Sequence, residues 1–146
     1  MQHDLERFAA AQEPVYDQAL AELRSGAKHG HWMWFVFPQL DGLGHSPTAR
    51  HYAIRDLAEA RAYLADPLLG ARLAECTEAM LGWAGRRSAE AILGPIDALK
   101  LRSSMTLFEA ADGNDLFGRA LEGFYAGKRD QLTLDLLAAQ ANERER

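Results

Sequence analysis

Apolar residues recur at intervals of three and four along most of the chain, which is the spacing of one face of an α-helix. Between these stripes lie Gly, Pro, Ser and Asp, the residues that begin and end helices. The pattern predicts helices from Asp4 to Gln12, from Pro14 to Gly26, from Pro47, from Asp56, from Pro67 to Gly82 or Gly85, from Ser88 to Gly94 and from Asp97, and then two helices that carry Leu116 and Leu132.

Several of these helices have a recognisable first or last residue. Side chains that can accept a hydrogen bond from the first turn predict N-caps at Asp4, Ser46, Asp56, Ser88 and Asp97. Gly26 is expected to end its helix in a left-handed conformation. The residues Asp112, Gly113 and Asn114 predict a turn.

The helical pattern breaks between Gly30 and Leu40, where aromatic and β-branched residues follow one another without helical periodicity. This predicts an extended or irregular segment that is buried against the helices to cover its rings. In an extended chain Trp32 and Trp34 would point to opposite sides, one to the core and one to a cleft. Gly42 and Gly44 follow Pro38 and favour a shaped loop.

Strand-type alternation is nearly absent, and no repeat, low-complexity tract or linker divides the sequence. The expected fold is therefore all-α, a single compact multi-helix domain over residues 1–146 with one extended aromatic-rich loop.

Composition and charge narrow the classes of function. The 146 residues are 48% hydrophobic and carry a formal net charge of -5, which is typical of a globular domain and disfavours DNA or RNA binding through phosphate neutralisation. The single cysteine, Cys76, cannot form an internal disulfide, which fits a reducing compartment. Neither a signal peptide nor an apolar run of membrane-spanning length is evident, so a cytoplasmic protein with no membrane partner is expected. Oligomeric state is not predicted.

Four motifs cover most of the chain: WMWFVFPQ at 32–39, GLGHS at 42–46, EARAYL at 59–64 and GPIDALKLRSSMTLF at 94–108. With these motifs the sequence resembles the uncharacterised bacterial family of unknown function numbered 1810. The resemblance implies a small, cytoplasmic, mostly helical protein and brings no reaction or catalytic residues. Some members carry a calpastatin-like label, which implies protease inhibition, but this chain has no repeated inhibitory segments.

A polar patch lies within the otherwise apolar segment from Asp97 onward. On a helix, Lys100 would lie on the same face as the hydroxyls of Ser103 and Ser104. The lysine could activate a serine as a nucleophile, or lysine and hydroxyls together could bind a phosphate or carboxylate. The alternative is structural, with the hydroxyls bonded to the preceding turn and Lys100 in solvent.

The aromatic segment offers the other half of a candidate site. Trp32 could stack on a planar ring and Gln39 could bond its edge, while Ser46 and the glycines before it could hold a phosphate at a helix start. The alternative is that both tryptophans belong to the core. Because the glycine pattern lacks a preceding strand and the Lys-Ser/Thr ending of a P-loop, we expect no nucleoside triphosphatase and no cofactor.

Histidines and acids carry weaker signals. His29 and His31 alternate as metal ligands can, but no further Cys or His stands at a recognised ligand spacing, so no metal site is predicted. Asp41, Glu59 and Asp97 are the acids that could act in acid-base chemistry, although Asp97 is also a helix cap and Glu59 an outward-facing charge or an arginine partner.

The resulting hypothesis is a domain that binds or hydrolyses a nucleotide-like, ADP-ribose-type anionic small molecule. Its expected ligand-binding residues are Trp32, Gln39, Ser46, Lys100, Ser103 and Ser104, with catalytic residues unassigned. A hydrolase or glycosidase activity rests on analogy with other small helical proteins that act on such nucleotides. The competing hypothesis is a non-enzymatic protein-interaction domain. A concave pocket lined by Lys100 and Gln39 would favour the first, and a flat apolar patch the second.

Overall fold

Ten helices form the part of the chain that the computed structural model describes, residues 4–112 and 115–144. They are α1 (Glu6–Gln12), α2 (Tyr16–Ser25), α3 (Met33–Val36), α4 (Pro47–His51), α5 (Leu57–Ala65), α6 (Pro67–Leu81), α7 (Ala89–Leu93), α8 (Pro95–Asp112), α9 (Asp115–Tyr125) and α10 (Gln131–Arg144). Within these ranges there is no strand, and the all-α prediction is confirmed. Two residues of the predicted turn, 113 and 114, lie outside the described residues.

The core is built around α8, which packs against α5, α7, α9 and α10. All six residues from 103 to 108 are buried, so this stretch has neighbours on every side. A helix surrounded in this way lies at the centre of a domain rather than on its surface. None of the helices in the described ranges, including α8 with its 18 residues, is both long enough and apolar enough to cross a membrane.

Most of the predicted helix ends are confirmed. Three side chains accept a hydrogen bond from the backbone N–H three residues later, as N-caps do: Ser46, Asp56 and Ser88. Gly26 ends α2 with a φ of 73°. Two predicted caps are wrong, because α1 begins only at Glu6 after Leu5, and because α8 begins at Pro95 and so contains Asp97 in its first turn.

The sequence predicted that the aromatic segment is extended or irregular. The structure instead shows the single-turn helix α3 within it. Trp32 and Phe37 flank that helix and are both buried, whereas Trp34 is half-buried. After α3, Leu40 and Ile54 form an isolated parallel bridge. The bridge joins the two ends of the loop that contains α4, and so fixes that loop against the rest of the domain.

Candidate functional site

A cleft of about 430 Å³ lies between the aromatic segment and α8. Four of the six predicted ligand-binding residues line it: Gln39, Ser46, Lys100 and Ser103. They come from three separate stretches of the chain, namely the segment after α3, the cap of α4 and the first half of α8. The fold therefore brings most of the predicted site together.

The other two predicted residues, Trp32 and Ser104, do not line the cleft. Trp32 is 1% exposed and its indole N–H donates to Glu22 at 2.9 Å, so it is part of the core. Ser104 is fully buried, and its hydroxyl has no hydrogen-bond partner in the described ranges. Consecutive residues on a helix point about 100° apart, and here Ser103 lines the cleft while Ser104 is buried in the core.

Trp34 takes the place that the sequence analysis gave to Trp32. It lines the cleft, and the ammonium of Lys100 lies 4.7 Å from the centroid of its ring. A cation over the face of an indole is attracted by the electrons of the ring. The tryptophan and the lysine therefore form one unit in the wall of the cleft.

Lys100 is held by a carboxylate rather than by the serine hydroxyls. Its ammonium lies 3.5 Å from Oδ1 of Asp97, one turn earlier on α8. Ser103 instead donates to the carbonyl of Leu99 at 3.2 Å, which is the structural alternative proposed for the hydroxyls. This geometry does not present Ser103 as an activated nucleophile, and it leaves Lys100 as the cation of the cleft.

Asp97 also binds a second lysine, which the sequence analysis missed. The ammonium of Lys28 lies 2.9 Å from Oδ2 of Asp97 and 2.5 Å from the carbonyl oxygen of Gly30. It also lies 5.1 Å from the ring centroid of Trp32. One carboxylate thus bridges two ammonium groups, and this contact joins the loop before α3 to the start of α8.

The same loop is held from the other side by Glu22 on α2. One oxygen of this carboxylate accepts three hydrogen bonds, from the backbone N–H groups of His29 and Gly30 and from the indole of Trp32, at 2.8 to 2.9 Å. Burial by itself would raise the pKa of Glu22, but the hydrogen bonds from Gly30, His29, Gln18 and Trp32 outweigh it and lower the pKa to about 2. The ionised carboxylate is therefore the anchor of the loop.

Two of the acids proposed for acid-base chemistry lie away from the cleft. Glu59, expected as an outward-facing charge or as the partner of an arginine, is fully buried, and its carboxylate lies 3.0 Å from the guanidinium of Arg7. Asp41 lines a different pocket of about 370 Å³, together with Arg50 and His51. Because Glu59 also accepts the backbone N–H of Arg55, its role here is to fix the start of α5.

The carboxylate that does line the cleft is Asp130, which the sequence analysis did not single out. Its Oδ2 accepts the backbone N–H and the hydroxyl of Thr133, and its Oδ1 lies 3.7 Å from Arg102. Asp130 thus caps α10, and its negative charge is paired with the positive charge of Arg102. An Asp before a helix is an ordinary cap signal, and only the three-dimensional packing places this one in the cleft.

Histidines are present near the site without forming a metal centre. His29 and His31 are both exposed, and His45 lies in the wall of the cleft. In residues 4–112 and 115–144 no three His, Cys, Asp or Glu side chains are grouped as metal ligands.

Comparison with known proteins shows the family of the chain and no activity. The chain is 55% identical to the conserved hypothetical protein Rv1873 from Mycobacterium tuberculosis, and the crystal structure of that protein matches with a TM-score of 0.89 over 92% of this chain and 96% of that chain. No curated protein matches. The family described as "Protein of unknown function (DUF1810)" matches residues 2–137. The chain therefore belongs to the DUF1810 family of proteins of unknown function.

Proposed function

We propose that this domain binds an anionic, nucleotide-like small molecule of the ADP-ribose type in the cleft between the aromatic segment and α8. The observation that carries the proposal is the convergence of Trp34, Gln39, Ser46, Lys100 and Ser103 on one concave space. Its volume of about 430 Å³ lies within the range of about 300 to 1,000 Å³ that is usual for small-molecule sites. The cleft also combines an apolar wall with a few polar groups, as such sites do.

Each of these residues has a role that fits its chemistry. The ammonium of Lys100 binds a phosphate as a point charge, and the side-chain amide of Gln39 can both donate and accept a hydrogen bond at the edge of a planar ring. Lys100 covers one face of Trp34. A phosphate that draws Lys100 away would leave this face open for a ring to stack on.

Hydrolysis of the bound molecule would need a group that activates water. Asp130 is the candidate for this role, since it is a carboxylate in the wall of the cleft. We therefore extend the proposal to hydrolase chemistry with Asp130 as the general base.

A second candidate function, a protein-interaction surface, is favoured by the rim of the same cleft. Ile96, Leu99 and Leu132 all line the cleft and are 71%, 59% and 52% exposed. Exposed apolar side chains grouped around a concavity are a feature of protein-binding surfaces. This candidate predicts that introducing a charge at Ile96 abolishes partner binding while nucleotides have no effect on the domain.

Thermal unfolding with added ADP-ribose, NAD, AMP or phosphate tests the first candidate. A ligand at about 100 times its dissociation constant adds about 2.7 kcal/mol of stability, which is several degrees in Tm for a domain of this size. We expect a shift with the nucleotides that is lost in Lys100→Met and in Trp34→Ala. Lys128→Met is the matched control, because Lys128 is exposed and lies outside the cleft.

Two further results complete the test. Asp130→Asn keeps a good helix cap, so it should bind the nucleotide and fail to convert it, as followed by chromatography of the products. No shift with any of the nucleotides would overturn the proposal and favour the interaction surface.

A further inference from the structure

A second chamber of about 340 Å³ adjoins the cleft. Trp34, Ile96 and Lys100 line both spaces, so the Trp34–Lys100 unit stands between them. The remaining wall of the second chamber includes Lys28 and Asp97. The two spaces are therefore neighbouring compartments of one site, with Lys100 at their boundary.

The charges at this boundary are not balanced. Lys28 and Lys100 each contact one oxygen of the same carboxylate, Asp97, so two ammonium groups share one negative charge. In contrast, the carboxylate of Asp130 in the cleft is matched by Arg102. Among Lys28, Lys100 and Asp97, one positive charge is in excess where the two chambers meet. The ionised carboxylate of Glu22 binds the loop that carries Lys28 and offsets part of it.

This charge is also partly removed from water. The side chain of Lys28 is 9% exposed and that of Lys100 is 23% exposed. Coulombic attraction is stronger in such surroundings than in bulk water, so an anion at this boundary is bound more tightly than at an exposed lysine. Because the two ammonium groups contact the two oxygens of one carboxylate, they are close enough to serve neighbouring phosphates of a single ligand.

We infer that the ligand occupies both chambers, with its planar ring in the cleft, a diphosphate at Lys100 and Lys28, and a second polar half beside His31 and Asp97. The inference rests on the proposed function and deepens it, because it assigns the two phosphates of a nucleoside diphosphate ester to Lys100 and Lys28. His31 and Asp97 line the second chamber and offer hydrogen-bonding groups to the hydroxyls of a sugar. Lys28 becomes a binding residue.

Isothermal titration calorimetry with AMP, ADP-ribose and pyrophosphate separates the two chambers. We expect ADP-ribose to bind about tenfold to a hundredfold more tightly than AMP, the gain of one further charged hydrogen bond. Lys28→Met should remove that gain, so that ADP-ribose binds this variant no more tightly than AMP does. Lys128→Met, a change at the third lysine in the sequence, is the control for lost charge and should alter neither affinity.

A second variant distinguishes a loss of phosphate binding from misfolding. Asp97→Asn removes the carboxylate that competes for both ammonium groups, so pyrophosphate should bind it more tightly than it binds the unmodified protein. Lys28→Met should bind pyrophosphate about tenfold or more weakly. The two variants thus carry opposite expected signs, which a general loss of structure cannot produce.

The failures of the two proposals can be told apart. Equal affinities for AMP and ADP-ribose, with no effect of Lys28→Met, would overturn the two-chamber inference and leave nucleotide binding in the cleft intact. Pyrophosphate binding that Asp97→Asn weakens would also overturn it. If neither AMP nor ADP-ribose binds, the proposed function fails and the inference fails with it.

Discussion

Replacing Glu22 with Gln tests whether an ionised carboxylate holds the loop that carries Lys28 and leads into α3. One oxygen of Glu22 accepts hydrogen bonds from two backbone N–H groups and from Trp32. Gln keeps the shape of the side chain and an acceptor oxygen but has no charge. Any loss of stability therefore reports the charge rather than packing.

The expected magnitude follows from the pKa of Glu22. It falls from its ordinary value of 4.5 to about 2, because the hydrogen bonds to the carboxylate together outweigh the cost of burial. At about 1.4 kcal/mol for each factor of ten, this favours the folded state by about 3 kcal/mol at neutral pH. A depressed pKa stabilises the fold above pH 4.5, and the contribution is lost as the pH falls toward 2.

Urea unfolding followed by tryptophan fluorescence measures this contribution at pH 7, 5 and 3. Glu22→Gln should be about 3 kcal/mol less stable than the unmodified protein at pH 7, and the difference should shrink to less than half by pH 3. Glu78→Gln, at an exposed position on α6, should change stability by less than about 0.5 kcal/mol. A deficit for Glu22→Gln that is the same at pH 7 and pH 3, or below about 1 kcal/mol at pH 7, would refute the reasoning.

Three further predictions concern the scaffold. Gly70→Ala should lower the free energy of unfolding by about 2 kcal/mol, because the new Cβ would lie 2.2 Å from a backbone oxygen of α5. In the control Gly82→Ala the nearest atom would lie at 3.4 Å, so the free energy of unfolding, also measured by thermal unfolding, should change by less than about 1 kcal/mol. Burial raises the pKa of the Cys76 thiol to about 12, so iodoacetamide at pH 8 should modify the unfolded chain in urea and leave the folded protein unmodified; equal rates would contradict this. Arg7→Ala removes the guanidinium that contacts the buried carboxylate of Glu59 and should lower the free energy of unfolding by about 3 kcal/mol. Arg7→Lys should restore part of that loss, and a loss below about 1 kcal/mol for Arg7→Ala would show that the pair contributes little.

The parts of the fold that depend on neighbouring residues could be predicted from the sequence. Ser46, Asp56 and Ser88 cap helices as expected, because an N-cap needs only a short polar side chain and the backbone three residues later. Gly26 ends α2 for a similarly local reason, since its positive φ is disfavoured for other residues. Helical periodicity in turn predicted the all-α class.

The wrong predictions concern side chains whose positions depend on residues elsewhere in the chain. Trp32 is buried because Glu22, ten residues earlier, accepts its indole N–H, and nothing in the aromatic motif itself signals that partner. Once Trp32 is fixed in the core, the turn of α3 leaves Trp34 to face the cleft. In the same way, Lys28 reaches Asp97 only because the loop and the start of α8 meet in space. Four of the predicted residues thus line the cleft, and the fold determines which tryptophan lies beside them and which further lysine lies nearby.

The two charge clusters near the aromatic segment differ in a way that bears on function. At Arg7 and Glu59 a cation contacts a buried carboxylate, and breaking such a pair destabilises a fold. At Asp97 the carboxylate pairs with Lys28, and Lys100 adds a second ammonium to the same carboxylate. A partly buried excess charge costs stability, and such costs are retained chiefly at functional sites. An anion bound between Lys28 and Lys100 would offset that cost, and the two ammonium groups are the feature that the proposed ligand would use.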